Sequence, residues 1–314
     1  MAVALHPHRV VFDVVIIGGG PAGLSAALVL GRCRRRILVC DAGRPRNAAA
    51  REMHGYLSRD GLPPLEFLEI GRTELNRYGI EIRQVVVSDV TVTTDGFDVL
   101  LETGERVAAR KVLIATGVRD HLPPIEGLDA CYGISVHHCP YCDGWEERDR
   151  LIAVIGRGRS AAGLALSLKT WTDRVIVCTN GRSQLTASQR AQLARYDIAV
   201  HEQPIARVEH HEGRVRGLVM GDGARVACEA VFFSSGQSLQ CNFPSKLGCE
   251  LTRKGTVKTD HLGQTRVAGV YVVGDASRDV QFVIVAAAEG AKAGVAINKA
   301  LQASAGLAAA PAGS

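Results

Sequence analysis

Two stretches of the chain share one pattern: a short apolar run, a glycine-rich turn and an apolar helix. The first stretch predicts a strand at 10–17 and a helix over about 21–33. The second predicts a strand at 151–155 and a helix over about 160–171. Short, continuous runs rich in Val and Ile are typical of parallel strands that are buried on both faces. Because a further strand follows each helix, the pattern predicts two βαβ units and an α/β fold.

The rest of the chain alternates between strand and helix patterns. Further strands are predicted at 37–40, within 81–107 with turns at 95–96 and 103–104, at 111–115, and near 175–178, 205–210, 214–220, 225–227, 230–234 and 270–273. Further helices are predicted at 61–79 and over about 283–301. Pro123, Pro124 and Gly127 break the pattern before the second unit begins. Residues 302–314 are rich in Ala, Gly and Pro, which predicts disorder.

Length and composition set the broad class. The chain has 314 residues, which suggests two domains at roughly 100–200 residues each. Apolar residues make up 46% and charged residues 22%, as in ordinary globular proteins. The net charge of +5 is dispersed except at Arg32 and 34–36, and no basic stripe is interleaved with aromatic residues. We therefore expect no nucleic-acid partner.

The sequence carries no pattern of a membrane span or an export signal. The apolar stretch at 10–30 contains Asp13, Pro21 and four glycines, so it does not predict a span. Residues 1–9 lack the charged start and apolar block of a signal peptide, which predicts a cytoplasmic protein. Thiols are kept reduced there, so nine cysteines do not indicate a disulfide framework, and a close pair indicates catalysis or metal binding.

The first glycine turn has the pattern of a dinucleotide site. Gly18, Gly20 and Gly23 fit G-x-G-x-x-G between a strand and a helix. The first glycine permits the tight turn, the second lets a pyrophosphate approach the backbone at the helix N-terminus, and the third allows close helix–strand packing. Asp41 ends the next strand, where a carboxylate accepts a hydrogen bond from an adenosine ribose hydroxyl. The turn therefore predicts a bound dinucleotide.

The second glycine turn has the same frame but different chemistry. Arginines at 157 and 159 alternate with its glycines. NAD would favour an acid after the following strand and NADP would favour basic residues, but only Arg182 is available there. The candidate residues of this second nucleotide site are Gly156, Gly158, Ser160, Ala161 and Arg182. The sequence leaves two alternatives open: a working nucleotide site, or a site that no longer binds a nucleotide and only maintains the fold.

A close cysteine pair is the third chemical feature. Only two residues separate Cys139 from Cys142, so their sulfur atoms can close a small disulfide ring. The thiolate is the reactive form, and a nearby protonated histidine or helix N-terminus lowers its pKa. His137, His138 and Asp143 are candidate proton carriers, since reduction of a disulfide consumes protons.

Half of a zinc site is the alternative interpretation of this pair. Cys131, His137 and His138 would complete such a site. Zinc sites usually contain a second compact pair, and C-x-x-C does not recur, since Cys241 and Cys249 are too widely spaced. Redox chemistry is therefore favoured and no metal is predicted. Most of the other seven cysteines lie within apolar strands or at helix ends, which predicts buried packing residues.

Four motifs occur in one order along the chain. They are Gly18-Gly19-Gly20-Pro21-Ala22-Gly23, Ala115-Thr116-Gly117, Cys139-Pro140-Tyr141-Cys142-Asp143-Gly144 and Val273-Gly274-Asp275-Ala276. In this order the chain resembles the low-molecular-weight thioredoxin reductases over about residues 11–300. The resemblance implies an α/β flavoenzyme with two Rossmann-like, three-layer domains, the central one inserted into the FAD domain. The FAD domain is then expected at 1–120 and 241–314, and the central domain with the cysteine pair at 121–240.

The resemblance also implies roles for individual residues. The expected FAD contacts are Gly18, Gly20, Pro21, Ala22, Gly23, Asp41, Ala42, Arg46, Asn47, Thr116, Gly117, Gly274, Asp275, Gln281 and Phe282. Asp275 would bond the ribitol, and Gln281 would lie near the flavin ring. By analogy, Cys142 faces the flavin, Cys139 attacks the partner disulfide and Asp143 is the acid. A homodimer and a swivelling central domain are further expectations.

Three features depart from that family. Pro140-Tyr141 replaces the usual Ala-Thr, and Gly144-Trp145-Glu146 follows the aspartate. Both resemble a subgroup that includes dithiol oxidases of the gliotoxin and holomycin type, which close a small-molecule disulfide and pass electrons to oxygen. The arginine-rich phosphate site for NADPH is missing, which leaves NADPH open as a cofactor.

Three enzymatic hypotheses follow. The leading one is an FAD-dependent reductase that passes two electrons through Cys139 and Cys142 to a protein disulfide, with thioredoxin as the expected partner, by way of a mixed disulfide. The first alternative reverses the flow, so that a small dithiol is oxidised and oxygen is the acceptor. The second alternative keeps the reductase direction with ferredoxin or another non-nicotinamide donor. A non-enzymatic redox sensor or scaffold is disfavoured by the intact cysteine pair beside candidate proton carriers.

Overall fold

The computed structural model describes residues 11–278 and 280–307. Its strands are β1 (Val11–Ile17), β2 (Ile37–Asp41), β3 (Glu81–Gln84), β4 (Val87–Thr93), β5 (Gly96–Leu101), β6 (Arg106–Ile114), β7 (Val118–Asp120), β8 (Val136–His137), β9 (Ile152–Ile155), β10 (Val175–Cys178), β11 (Ala199–His201), β12 (Ile205–His211), β13 (Arg214–Met220), β14 (Arg225–Val226), β15 (Ala230–Phe233), β16 (Gln237–Leu239) and β17 (Val270–Val272). Its α-helices are α1 (Pro21–Arg32), α2 (Pro64–Asn76), α3 (Pro140–Asp143), α4 (Gly158–Leu168), α5 (Ala187–Arg195), α6 (Phe243–Lys246) and α7 (Val283–Ser304).

The first sheet contains the first glycine turn. Its strands β3, β2, β1, β6 and β17 are parallel. The first half of β6 also pairs with β5 in antiparallel fashion, and β5 pairs with β4 in the same way. Val14 and Ile16 of β1 pack with α1 and α7, whereas Val15 and Ile17 pack on the opposite face. Since successive strand residues point to opposite faces, a strand covered on both sides needs the continuous apolar run seen here.

The second sheet has the strand order β11-β10-β9-β15-β8 and is parallel throughout. Ile152 and Val154 of β9 pack with α4 and α5, while Ala153 and Ile155 face the antiparallel sheet β12-β13-β14. Helices, parallel sheet and antiparallel sheet therefore form three layers around β9.

Two short strands connect the sheets. The strands β7 and β16 pair with each other in antiparallel fashion, and every strand of the second sheet lies between them in the chain. The chain thus leaves the first sheet after β6 and returns to it before β17. The predicted α/β fold with two Rossmann-like units, the central one inserted, is confirmed. The exact domain limits at 120 and 240 stay a prediction.

Several elements differ from the sequence predictions. The helix predicted at 61–79 is shorter, and the strand at 199–201 and helix α5 were not predicted. Only Leu193 of α5 is buried, so its apolar periodicity is weak, and its start is marked instead by a capping box between Thr186 and Gln189. The disorder predicted from 302 is wrong for 302–304, which continue α7. The predicted strand start at residue 10, and positions 308–314 of the tail, lie outside the described residues. Within the described ranges, no helix is both long and apolar enough to cross a membrane.

Candidate active site

One cavity of about 550 Å³ joins the first glycine turn to the cysteine pair. It lies at the carboxyl ends of β1, β2 and β6, the edge of a parallel sheet where ligands of α/β folds bind. The predicted FAD contacts that line it are Gly18, Gly20, Pro21, Ala22, Asp41, Ala42, Arg46, Asn47, Thr116, Gly117, Gly274, Asp275, Gln281 and Phe282. The same cavity is lined by His137, His138, Cys142 and Asp143. The structure therefore brings nearly all of the predicted residues together around one space.

Each of the three glycines of the first turn has different surroundings, and each lacks a side chain for a different reason. A Cβ atom on Gly23 would lie 1.9 Å from the carbonyl oxygen of Gly18, so Gly23 packs behind the turn and does not line the cavity. Gly18 has a φ of +113°, and a Cβ there would lie 2.3 Å from the carbonyl oxygen of Ala115. Gly20, by contrast, faces open space with no heavy atom within 4 Å of an added Cβ. This open cradle at the N-terminus of α1 fits a pyrophosphate, so the residues present fit FAD.

Asp41 is already held in place at the end of β2. Its Oδ1 accepts a hydrogen bond from the Gly43 amide at 2.9 Å, and its Oδ2 accepts one from Arg72 at 2.8 Å. An ionised carboxylate has about four lone-pair sites, so Asp41 keeps the capacity to accept from a ribose hydroxyl.

Arg46 lies at the centre of a polar network within the cavity. Its guanidinium donates to Asp120 at 2.7 and 2.5 Å, and to Asp275 and Gln281 at 2.7 Å each. It also contacts Nε2 of His138 at 3.0 Å. Burial is the largest single effect and favours the neutral forms, but the hydrogen bonds and opposite charges of the network together outweigh it, so the pKa of Arg46 is raised and that of Asp120 is lowered.

The network connects the two units of the fold through residues that the sequence patterns did not indicate. Asp120 and Gln237 come from the connecting strands, and Tyr132 donates to Asp120 at 3.1 Å. Burial, reinforced by the charge of Arg46, lowers the pKa of His138, so its neutral ring accepts from that guanidinium. None of these contacts follows from periodicity, because each joins positions distant in the chain.

Cys139 and Cys142 form a disulfide with their Cα atoms 5.3 Å apart. Cys139 immediately precedes α3, and Pro140 occupies the first helical position, where a missing N–H has no cost. Cys142 lines the cavity, whereas Tyr141 and Trp145, with 69% and 63% of their surfaces exposed, lie beside the pair at the protein surface. The disulfide therefore stands between the cavity and solvent.

Beside the disulfide, His137 is buried between two carboxylates. Its Nδ1 lies 3.2 Å from Asp143, and its Nε2 lies 3.4 Å from Glu147, a buried residue that the sequence analysis missed. Burial would lower the pKa of His137, but the hydrogen bonds to the two carboxylates outweigh it and raise the pKa to about 9. A spacing signal existed, because Glu147 lies four residues after Asp143, one helical turn further on.

Two further cysteines line the cavity, although the sequence suggested packing roles for them. Cys241 lies 3.4 Å from the Thr116 hydroxyl, and Cys40 ends the buried part of β2. Burial raises the pKa of the Cys40 thiol to about 12, which keeps it protonated and suits a packing role. Cys33 departs from the predicted pattern, because it is exposed. In the described part of the chain, no group of three or more His, Cys, Asp and Glu side chains is arranged to hold a metal ion.

The second glycine turn is covered by its own chain. The amide of Gly158 donates to the carbonyl oxygen of Ser183 at 2.7 Å. The Arg157 guanidinium donates to the carbonyl oxygens of Thr179, at 3.0 Å, and Asn180. The loop after β10 is thus bonded to the turn at the place where a nucleotide would approach.

The other candidate residues of the second site serve the fold. Gly156 and Ala161 pack closely, since a Cβ on Gly156 would lie 3.2 Å from that of Ala161 and closer still to Ser234. The Ser160 hydroxyl donates to the carbonyl oxygen of Arg157 at 3.1 Å. Arg182 is exposed on the loop after β10.

An FAD cradle that shares its cavity with a redox disulfide defines a flavin-dependent disulfide oxidoreductase. The chain belongs to the pyridine nucleotide-disulphide oxidoreductase family, whose sequence profile matches residues 12–290.

Individual relatives are of the thioredoxin reductase type. The chain is 30% identical over 315 residues to thioredoxin reductase sirT of Leptosphaeria maculans, which covers 92% of this chain and 94% of the relative. The crystal structure of HlmI is 36% identical, with a TM-score of 0.88 over 97% of this chain and 99% of that one. An oxidoreductase from Agrobacterium tumefaciens is also 36% identical, with a TM-score of 0.86 over 93% and 99%.

Proposed function

We propose that this protein is an FAD-dependent dithiol oxidase that works without a nicotinamide cofactor. The observation that carries the proposal is the closed second glycine turn, in which the amide of Gly158 donates a hydrogen bond to the carbonyl oxygen of Ser183. The first turn, in contrast, is open and shares its cavity with Cys142. Electrons therefore enter at the disulfide, from a dithiol substrate, rather than at a second nucleotide.

The basic residues near the second turn support this assignment. NADPH binding needs positive side chains for its 2′-phosphate. Arg157 is bonded to the loop carbonyl groups, and Arg190 is paired with Glu202 and with Ser183. Arg159 and Arg182 are exposed, so the assignment depends on the paired side chains of Arg157 and Arg190 and on the closed turn.

The disulfide and its neighbours supply the thiol chemistry. One substrate thiolate attacks the sulfur of Cys139, so that a mixed disulfide forms and Cys142 leaves as a thiolate. The second substrate thiolate attacks the substrate sulfur of the mixed disulfide, which closes the substrate disulfide and releases the Cys139 thiolate. Asp143 takes up and returns protons beside Cys142, while His137 holds its carboxylate. Bound FAD supplies the acceptor for the electron pair of the dithiol, and oxygen is the final acceptor.

A second candidate keeps the reductase direction. The name of the relative sirT, a thioredoxin reductase, favours reduction of a protein disulfide such as that of thioredoxin. Since the second turn is closed, the donor would be ferredoxin or another non-nicotinamide reductant. The exposed Tyr141 and Trp145 would contact either type of partner. A homodimer and a cytoplasmic location stay predictions.

The two functions differ in which reductant bleaches the flavin. The purified yellow protein is mixed anaerobically with NADPH, NADH, reduced ferredoxin and small dithiols in turn, and the flavin absorbance is followed. Dithiols alone should bleach it, and air should restore the colour with formation of peroxide. Fast bleaching by NADPH would refute the proposal, and bleaching only by ferredoxin would favour the reductase. Cys142→Ser is the control, since it should keep FAD but not respond to dithiols.

A further inference from the structure

A buried acid lies behind the residues that face the cavity. The side chain of Glu147 is only 3% exposed. Its Oε1 lies 3.4 Å from Nε2 of His137, and its Oε2 accepts a hydrogen bond from Arg150 at 2.6 Å. A carboxylate this deeply buried is costly unless it is paired, and here it is paired on both sides. Arg150, Glu147, His137 and Asp143 therefore form one line that ends next to Cys142.

The number of hydrogen-bond donors that the two carboxylates need determines the protonation of the His137 ring. Ionised carboxylates only accept hydrogen bonds, and a neutral imidazole donates from one nitrogen alone. Because His137 has a carboxylate at each nitrogen, both contacts are satisfied only when the ring carries both protons. The line then alternates in charge, from Arg150 to Glu147 to His137 to Asp143.

The other neighbours of His137 do not supply this second negative charge. The ring of Phe232, on the adjacent strand β15, lies 5.3 Å away and is apolar. His138 is the nearest titratable neighbour along the chain, and it disfavours a proton on His137 if it is charged. Asp143 alone would be satisfied by a neutral ring that donates from Nδ1. Glu147 is thus the group that makes the doubly protonated ring the favoured form.

We propose that Glu147 is a positioning residue for the thiol–disulfide reaction, which keeps His137 protonated so that the ring forms an ion pair with Asp143 and holds that carboxylate beside Cys142. This inference rests on the proposed function for its chemistry. In the exchange, the incoming thiol loses its proton to the Asp143 carboxylate and its sulfur bonds to that of Cys139. The bond between the sulfurs of Cys139 and Cys142 breaks at the same time, and the Cys142 thiolate receives that proton. Without the charge of Glu147, His137 loses its own extra proton at a lower pH, and Asp143 then loses the cation that holds its carboxylate in place.

The first test measures the ring itself and does not depend on turnover. The titration of His137 is followed by NMR in histidine-labelled, oxidised protein, with the signal assigned by a His137→Gln variant. The pKa of His137 is raised to about 9 in the folded protein, against about 6.5 for an ordinary histidine. Glu147→Gln should lower the midpoint by at least one pH unit. An unchanged midpoint would overturn the proposal.

A neighbouring glutamate gives a control that separates the charge of Glu147 from a general effect of substitution in this segment. Glu146→Gln is the matched control, because Glu146 is the adjacent glutamate but lies on the surface, 3.5 Å from His54. It should leave the midpoint of His137 unchanged.

The second test concerns rate. The anaerobic bleaching rate with a small dithiol is measured from pH 5 to 10, and the ratio of Glu147→Gln to parent removes the ionisation of the substrate. Well below the midpoint that NMR gives for the variant the ring is protonated in both proteins, and well above pH 9 it is neutral in both. The ratio should therefore dip by about tenfold between these values, a small part of what a proton carrier contributes. A ratio that does not change with pH would contradict the proposal. If no dithiol bleaches either protein, the proposed function fails, while the NMR result still decides the role of Glu147.

Discussion

The two glycine turns have the same local frame but opposite surroundings. In each, a buried parallel strand runs through a glycine turn into a helix, at Gly18–Gly23 and at Gly156–Ala161. At the first turn, a Cβ on Gly20 would point into open space. At the second, the amide of Gly158 is bonded to Ser183. The comparison shows that the glycine pattern specifies how a helix crosses a strand, whereas ligand access depends on the loop after the next strand.

That loop differs in direction between the two turns. After β2, residues 42–47 lead to Arg46, which bonds across the cavity to Asp120 and leaves the turn open. After β10, Asn180, Gly181 and Gln184 all have positive φ values, so the chain bends sharply back onto the turn. The Arg157 side chain then bonds to the carbonyl groups of this bend. Loop geometry, and not the glycine count, therefore distinguishes a site from a closed fold element.

The largest expected effect concerns the packing glycine of the first turn. A Cβ in Gly23→Ala would lie 1.9 Å from the backbone oxygen of Gly18, which cannot move freely. We expect a loss of about 3 kcal/mol in the free energy of unfolding, measured by urea denaturation of the apoprotein, together with loss of FAD. Gly163→Ala is the matched control in the second unit. Gly163 is helical with open space around it, so that variant should gain up to about 1 kcal/mol. A mild effect of Gly23→Ala would contradict the close packing of the helix on the turn.

The next prediction separates binding from stability. Gly20 has a φ of −77°, which any residue adopts, and an added methyl group enters the space assigned to the pyrophosphate. Gly20→Ala should therefore leave the apoprotein folded, and stabilise it by about 0.5 kcal/mol through the unfolded state. Its affinity for FAD should fall by about 10–100-fold, the equivalent of a 1–3 kcal/mol steric conflict. Fluorescence titration of apoprotein with FAD measures this, and an unchanged affinity would place the cofactor elsewhere.

Sequence patterns predict the frame of the site better than its chemistry. Residues such as Gly20, Asp41 and Cys142 lie at fixed offsets from strands or from each other, so their place in the cavity follows from local geometry. Asp120 and Gln237 have no such offset from a motif, and their roles arise from contacts across the fold. Helix α5 shows the same limit, because a helix with one buried side chain leaves almost no apolar period. Whether the second turn is open or closed does not follow from its glycines, since it depends on the path of a loop.

A smaller effect is expected at the second turn. Gly158 has a φ of +57°, and a Cβ there would be in ordinary contact with the Gln184 oxygen at 3.4 Å. Gly158→Ala should cost about 1–2 kcal/mol, as expected for a left-handed residue that gains a Cβ. FAD content should stay that of the parent protein, in contrast to Gly20→Ala. Loss of FAD on this substitution would show that the two turns are coupled and would weaken the comparison.

The smallest effect is expected for Arg157, and its substitution is also the most direct test of why the second turn is closed. Arg157 is an exposed residue whose guanidinium bonds to the carbonyl groups of Thr179 and Asn180. Arg157→Ala should lower the free energy of unfolding by only about 0.5 kcal/mol, because water replaces the lost donors at the surface. The variant should still fail to bind NADPH in calorimetric titration, since the Gly158 amide remains bonded to Ser183 and no cluster of cations is created. Binding of NADPH by the variant but not by the parent would mean that one side chain, rather than the path of the loop, closes the second turn.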